Sequence, residues 1–249
     1  MNLPRLASFG LLILSCGALF GAPIAEDSFK NPEVEGSNAV KSELKWKKIA
    51  NVTLDSGQNL KGDASALQAD FISYGKLYAT FPSTEIPVGS ALEVTLQLRY
   101  ADAPASAPNA LRLGLENLTD IENPTNTDAQ PGYLLFINPG KDSPTGTMFS
   151  VEEGIDGGMG GGKDFKSYGE SAPSIAFGTG LHTIKFSVAN TEAGTVTSVK
   201  FDDGETYSAT ETNLMAKTFN TLLIAIGNVP KTSIVLEKAS FALVPVAKE

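Results

Sequence analysis

The chain has 249 residues, 42% hydrophobic and 19% charged, with a formal net charge of -9. This composition supports a packed core in one large β domain or two small ones, and 24 Gly with 14 Pro suit many turns rather than long helices. An acidic chain without a basic block is a poor partner for nucleic acid or an anionic membrane surface. Its single His and single Cys leave almost no means of building a zinc site.

Residues 1–21 have the order of an export signal: a short start carrying Arg5, an apolar run over 6–20, then Gly21-Ala22-Pro23 and the acidic pair Glu26-Asp27. The apolar run is too short for a spanning helix and lacks a basic stop-transfer flank. Cleavage is expected near Gly21, with Leu19 and Gly21 as the residues the peptidase reads. A secreted or periplasmic location follows. Ile13-Leu14-Ser15-Cys16 resembles a lipoprotein box, which makes lipidation at Cys16 the alternative. Under simple cleavage the mature chain has no cysteine, so its core alone must hold it together.

Residues 22–42 read as an irregular lead-in with room for one short edge strand, and 43–249 as one domain without a composition break. Residues 45–54 form a strand whose Trp46, the only tryptophan, reads as a core plug. A turn over 55–59 leads to two short strands, 66–71 and 76–81. Next come two strictly alternating runs. Leu92, Val94, Leu96 and Leu98 alternate with Glu93, Thr95, Gln97 and Arg99; Leu111, Leu113 and Leu115 alternate with Arg112, Gly114 and Glu116. Each predicts a half-buried strand, and a sheet with one apolar face needs a second sheet against it. Residues 117–132 are a polar loop, 133–138 and 147–153 are strands, and 154–165 is half glycine, with no phosphate-loop pattern. Residues 181–189 and 195–201 make a hairpin, and Asp203-Gly204 turns the chain into another strand. A helical turn is placed at 211–217, and strands at 219–227 and 233–244 close the chain. About a dozen strands at this spacing predict an all-β, two-sheet antiparallel sandwich.

The polar side of the two alternating runs is where a ligand is expected. Gln97, Arg99, Arg112 and Glu116 supply donors and acceptors, and Arg offers a planar fork that holds two oxygens at once. The two arginines share a face if the two runs pair. Tyr133, with Tyr100 and Tyr168, is a candidate for stacking. The opposing reading is an Arg–Glu ladder on a solvated sheet, worth little energetically. His182 alternates in phase with Ile184 and Phe186, so it reads as a structural histidine rather than a general base.

The segment Gly180-Leu181-His182-Thr183-Ile184-Lys185-Phe186-Ser187-Val188, followed by Val199-Lys200-Phe201-Asp202-Asp203-Gly204-Glu205, resembles the late hairpin of concanavalin A-like (laminin-G-like) jelly rolls. The start at Ile24-Ala25-Glu26-Asp27-Ser28-Phe29 and the block from Pro87 to Leu115 resemble exported lectin-like bacterial proteins. The resemblance runs over about 27–244 and implies a jelly-roll sandwich. Its hydrolase members resemble Glu-x-Asp-x-x-Glu on one strand, and its lyase members Arg-x-Glu-x-Arg; neither pattern occurs here. Asp120-Ile121-Glu122 lies in a loop, and Glu152 and Glu153 point to opposite faces. No catalytic residue is therefore assigned. No metal ligand is assigned either; calcium is considered only at Asp120, Glu122 and Asp128, or at Asp156 and Asp164.

The resulting expectation is an exported, non-catalytic carbohydrate-binding (lectin-like) protein that uses a concave polar sheet through Gln97, Arg99, Arg112, Glu116 and Tyr133. Its partner would be a polysaccharide or glycan, with no nucleic acid and no spanning segment in the mature chain. The alternatives are a structural or adhesion protein of the envelope or matrix and, third, a polysaccharide-active enzyme.

Overall fold

The computed structural model describes residues 23–29, 33–35, 39–41, 44–48, 59–62, 66–71, 75–104, 111–120, 131–139, 146–152, 165–173, 175–213, 216–227 and 232–246. Every regular element among them is a strand. In chain order they are β1 (Pro23–Asp27), β2 (Glu33–Glu35), β3 (Ala39–Lys41), β4 (Lys45–Lys48), β5 (Asn59–Gly62) and β6 (Leu67–Phe71). Then come β7 (Gly75–Glu85), β8 (Ser90–Tyr100), β9 (Leu111–Glu116), β10 (Gly132–Ile137), β11 (Thr147–Glu152) and β12 (Phe165–Ala172). The last are β13 (His182–Thr191), β14 (Gly194–Phe201), β15 (Thr206–Glu211), β16 (Thr218–Ile226) and β17 (Thr232–Pro245).

Two antiparallel sheets carry the fold. One has eight strands in the order β15-β14-β13-β8-β17-β6-β5, with β1 also paired to β17; the other has seven, in the order β12-β11-β10-β9-β16-β7-β4. β2 and β3 form a separate hairpin. The inward residues of both sheets make one core. Leu92, Val94, Leu96 and Leu98 of β8 meet the side that Leu111, Leu113 and Leu115 of β9 line, all at 1% exposure or less. The stacked rings of Phe81 on β7 and Phe241 on β17, 4.4 Å apart, join the two sheets. The 14-residue β17 keeps its phase through a bulge between Leu236 and Lys238, so that Leu236 and Ala239 both face inward.

The alternation of β8 and β9 sets their inner faces as expected, but the two strands are not partners. β8 pairs with β13 and β17, β9 with β10 and β16. The chain crosses from one sheet to the other between them. Alternation specifies which face is buried; it carries no information about the neighbour.

Three further differences concern single elements. The stretch 22–42 holds more than one short edge strand: β1 pairs with β17, β2 pairs with β3, and Ala25, Asp27 and Phe29 are buried. At 211–217 the described residues are a strand end and a bend, not a helical turn. β12 lacks alternation because it is an exposed edge; Lys166, Ser167, Gly169, Glu170 and Ser171 all face solvent. The parts of 49–58 and the glycine-rich 153–164 to which strand, turn and loop were assigned lie outside the described residues.

Candidate functional site

The outer face of the seven-stranded sheet can be written as three rows from the strand register. The first is Lys76–Ala225–Arg112–Phe136–Met148. The second is Lys47–Tyr78–Leu223–Gly114–Leu134–Ser150–Ser167. The third is Thr80–Thr221–Glu116, continued by Gly132 of the neighbouring strand. Neighbours in a row are about 4.8 Å apart and rows are about 7 Å apart.

This face is not a solvated surface. Lys76 is 4% exposed, and Glu116 and Ser150 are 0% exposed. Tyr78, Leu118, Leu223 and Ala225 form a second apolar cluster on it. Leu118 is held there by Asn220, whose Oδ1 accepts the Leu118 N–H at 2.8 Å and whose Nδ2 donates to the Leu118 carbonyl at 2.9 Å. Asn220 sits where β16 shifts register between Phe219 and Thr221. It acts as one extra rung of ladder that lays the residue beyond β9 over the sheet.

Two glycines make room for side chains on this face. A Cβ at Gly114 would lie 2.6 Å from Leu134 Cδ2, and one at Gly132 would lie 2.7 Å from the Leu115 carbonyl and 3.0 Å from Glu116 Cγ. Leu134 and the Glu116 side chain therefore lie flat across β9 and β10. Arg112, half-buried, sits over the Phe136 ring with its guanidinium carbon 5.0 Å from the centroid. Phe165 packs against the same ring at 4.8 Å and 41°. Arg112, Met148 and Phe165 are half-buried, whereas Lys76, Ala225 and Phe136 are buried.

The residues proposed from sequence separate into three places. Arg112 and Glu116 share the face just described. Gln97 and Arg99 lie on the outer face of the other sheet, so the condition for the two arginines to share a surface is not met. There Arg99 Nε donates to Glu237 Oε1 at 3.2 Å, both side chains more than a third exposed. Lys185–Glu93 at 3.6 Å and Lys238–Glu26 at 3.0 Å continue this as a solvated ladder. Tyr133 lies in the interior with its hydroxyl donating to Thr195 Oγ1 of the opposite sheet at 3.0 Å. Tyr168 likewise reaches Thr197, and Tyr100 is buried against Phe177.

His182 has a structural setting. Its Nδ1 is 2.8 Å from Asp202 Oδ2, Asp202 Oδ1 accepts the Thr183 N–H at 2.8 Å, and Phe177 meets the imidazole edge-on at 4.8 Å. Asp202 adopts a left-handed conformation, φ 50°, to close the end of this hairpin. Among the described residues no group of three or more His, Cys, Asp or Glu is placed to hold a metal ion. Asp120 is exposed; Glu122, Asp128, Asp156 and Asp164, named for calcium, lie outside the described residues.

Lys76, Tyr78, Phe136 and Phe165 were not singled out from sequence. Lys76-Leu77-Tyr78-Ala79-Thr80-Phe81 does alternate, which marks Lys76 and Tyr78 as outward. Tyr133-Leu134-Leu135-Phe136-Ile137 is apolar on both sides, the mark of a strand covered on both faces.

No protein-family model and no characterised protein matches this chain. Solved structures do share its fold. Basic winged bean lectin, determined with Tn-antigen, superposes with a TM-score of 0.51 at 10% identity, covering 89% of this chain and 98% of the lectin. The Emp46p carbohydrate recognition domain in its potassium-bound form gives a TM-score of 0.50 at 11% identity, covering 79% and 88%. An endo-1,3-beta-glucanase from Streptomyces sioyaensis gives 0.48 at 11% identity, covering 90% and 96%. At these identities the likeness to the first two is one of fold: the chain has a concanavalin A-like jelly-roll fold.

Proposed function

We propose that this is an exported, non-catalytic carbohydrate-binding protein of lectin type, and that its ligand contacts the part of the seven-stranded sheet's outer side that reaches solvent, at Arg112, Met148 and Phe165. The observation that carries this reading is the half-buried Arg112 guanidinium, 5.0 Å over the Phe136 ring that Phe165 also packs against, beside half-buried Met148. Sugar recognition asks for a few oriented polar groups set among apolar ones. The two fold neighbours at TM-scores of 0.51 and 0.50 are a lectin and a carbohydrate recognition domain, which supports the class by analogy. Export is proposed from the signal-like residues 1–21, and an intact mass beginning at residue 22 checks it.

The test is a broad glycan and polysaccharide array with residues 22–249, run with calcium and with chelator. Saturable binding to one glycan class that weakens in Arg112→Ala, while the chain stays folded, is the expected result. Loss of binding in chelator would add a calcium ion to the site. A blank array from folded protein sinks the proposal in favour of a structural or adhesion role.

A further inference from the structure

We infer that β12 is a detachable edge: it opens from its sheet as a unit while the rest of the protein stays folded, and the Tyr168–Thr197 bond is the latch that keeps it closed. Opening carries Phe165 away from Arg112 and Met148. The place of Phe165 in a binding site rests on the carbohydrate-binding reading above, whereas the opening itself does not. β12 ends its sheet and pairs with β11 alone. Of its eight residues only Ala172 is buried, whereas all six of β10 are. Its ladder is also interrupted. From Tyr168 to Ala172 β12 advances four residues while β11, from Phe149 to Thr147, advances two, and Gly169 in this bulge has φ 66°. A strand with few buried apolar contacts and solvent-exposed hydrogen bonds opens at a fraction of the free energy of global unfolding.

Two half-buried aromatic side chains on opposite faces hold β12 in place. On the outer face Phe165 reaches over β11 to the Phe136 ring of β10, 4.8 Å away. On the inner face Tyr168 packs 6.4 Å from Phe149, and its hydroxyl donates to Thr197 Oγ1 on β14 of the other sheet. Thr197 is 0% exposed, so water does not replace this bond while the strand is closed. Tyr133 makes the same kind of bond to Thr195, but from β10, which β9 and β11 flank. There the bond strengthens the whole fold; in β12 it secures one edge. Tyr168 faces the core and cannot touch a ligand on the outer side, so it is a positioning residue acting through Phe165. When β12 opens, Arg112 and Met148 remain on β9 and β11 and Phe165 leaves. A ligand that touches Phe165 therefore binds the closed form and, by linkage, holds the strand shut.

Native-state hydrogen exchange of ligand-free residues 22–249, at urea concentrations below the unfolding transition, measures the opening. The amides of β12 should exchange at least about tenfold faster than those of β8 and β13, with little dependence on urea. Tyr168→Phe should speed β12 exchange about three- to tenfold. Tyr133→Phe should speed β8 and β13 by a similar factor and leave β12 unchanged, because β12 opens without breaking the Tyr133 bond. Equal protection and equal urea slopes in β12 and β8 overturn the inference. So does acceleration of β12 in Tyr133→Phe by the factor seen in β8. An unchanged β12 rate in Tyr168→Phe removes the latch. No glycan enters this experiment, so a blank glycan array leaves the opening standing, and uniform exchange leaves carbohydrate binding standing.

Discussion

The Asp27 carboxyl group ties the first strand of one sheet to Trp46 in the other. Its Oδ2 accepts the indole Nε1–H at 2.9 Å, and its Oδ1 accepts the Phe29 N–H at 3.0 Å. The second bond closes an Asx-type turn, with Phe29 at φ 50°, and brings Phe29 to 5.8 Å from the indole. All three residues are 4% exposed or less. Asp27→Ala leaves two buried donors without their acceptor and should cost about 2–4 kcal/mol, a fall in Tm of roughly 4–16 °C for a chain of this size. Trp46→Phe deletes part of the buried indole and leaves Asp27 Oδ2 without its donor, so its cost should be at least as large. Thermal unfolding of both variants checks the order; equal and negligible losses would show that the tie contributes nothing.

These contacts also show how far the sequence could be read. Burial of Trp46 followed from its type and surroundings, but its partner Asp27 lay in a stretch that composition marked as irregular. A five-residue strand leaves too short a pattern to register, and only its pairing with β17 reveals it. Alternation located the inward leucines of β8 and β9 for the same reason it misplaced the arginines. Gln97 and Arg99 face outward, and so do Arg112 and Glu116, but from opposite sides of the molecule. Sheet membership depends on a crossover that periodicity does not encode. Tyr133 was assigned by residue type; the register that turns it inward, opposite Leu115 and Val151, is a property of three strands together.

Gly169 in β12 has φ 66°, and a Cβ placed on it collides with the Cβ of Ala209 in β15. Here the edge strands of the two sheets approach most closely. Gly169→Ala adds left-handed strain and overpacking and should cost roughly 2–4 kcal/mol. Ala209→Gly in the same chain removes the collision but not the strain. The double variant should therefore recover part of the loss. A double-mutant cycle in urea measures the coupling; strictly additive effects would mean that the two strands relax apart instead.

Tyr133 and Arg112 should behave oppositely. Tyr133→Phe removes the hydroxyl that reaches Thr195 across the core and should lower stability by about 1 kcal/mol, leaving glycan affinity at the wild-type level. Arg112→Ala should lower affinity with little change in unfolding midpoint, because the Arg112 side chain is itself half-exposed. Titration of the same glycan against both variants separates the two roles. If Tyr133→Phe weakened binding without loss of stability, the interior placement of its hydroxyl would not describe its function.

Alkaline pH should destabilise the fold through two interior tyrosines. Burial raises Tyr100 above the ordinary value of 10.0. It raises Tyr168 as well, with the bond to Thr197 working in the opposite direction. In the unfolded chain both hydroxyls ionise from about pH 10, whereas in the folded chain they hold their protons. The folded state therefore binds more protons above that pH. Stability is full below about pH 10 and falls as pH rises further, by up to about 1.4 kcal/mol per pH unit for each tyrosine. Among the described residues the Tyr100 hydroxyl has no hydrogen-bond partner, so Tyr100→Phe should be neutral or stabilising at neutral pH. Urea midpoints between about pH 9 and pH 11 should fall less steeply in Tyr100→Phe/Tyr168→Phe than in the natural sequence. Parallel slopes would place the alkaline loss in other groups, such as the lysines that ionise over the same range.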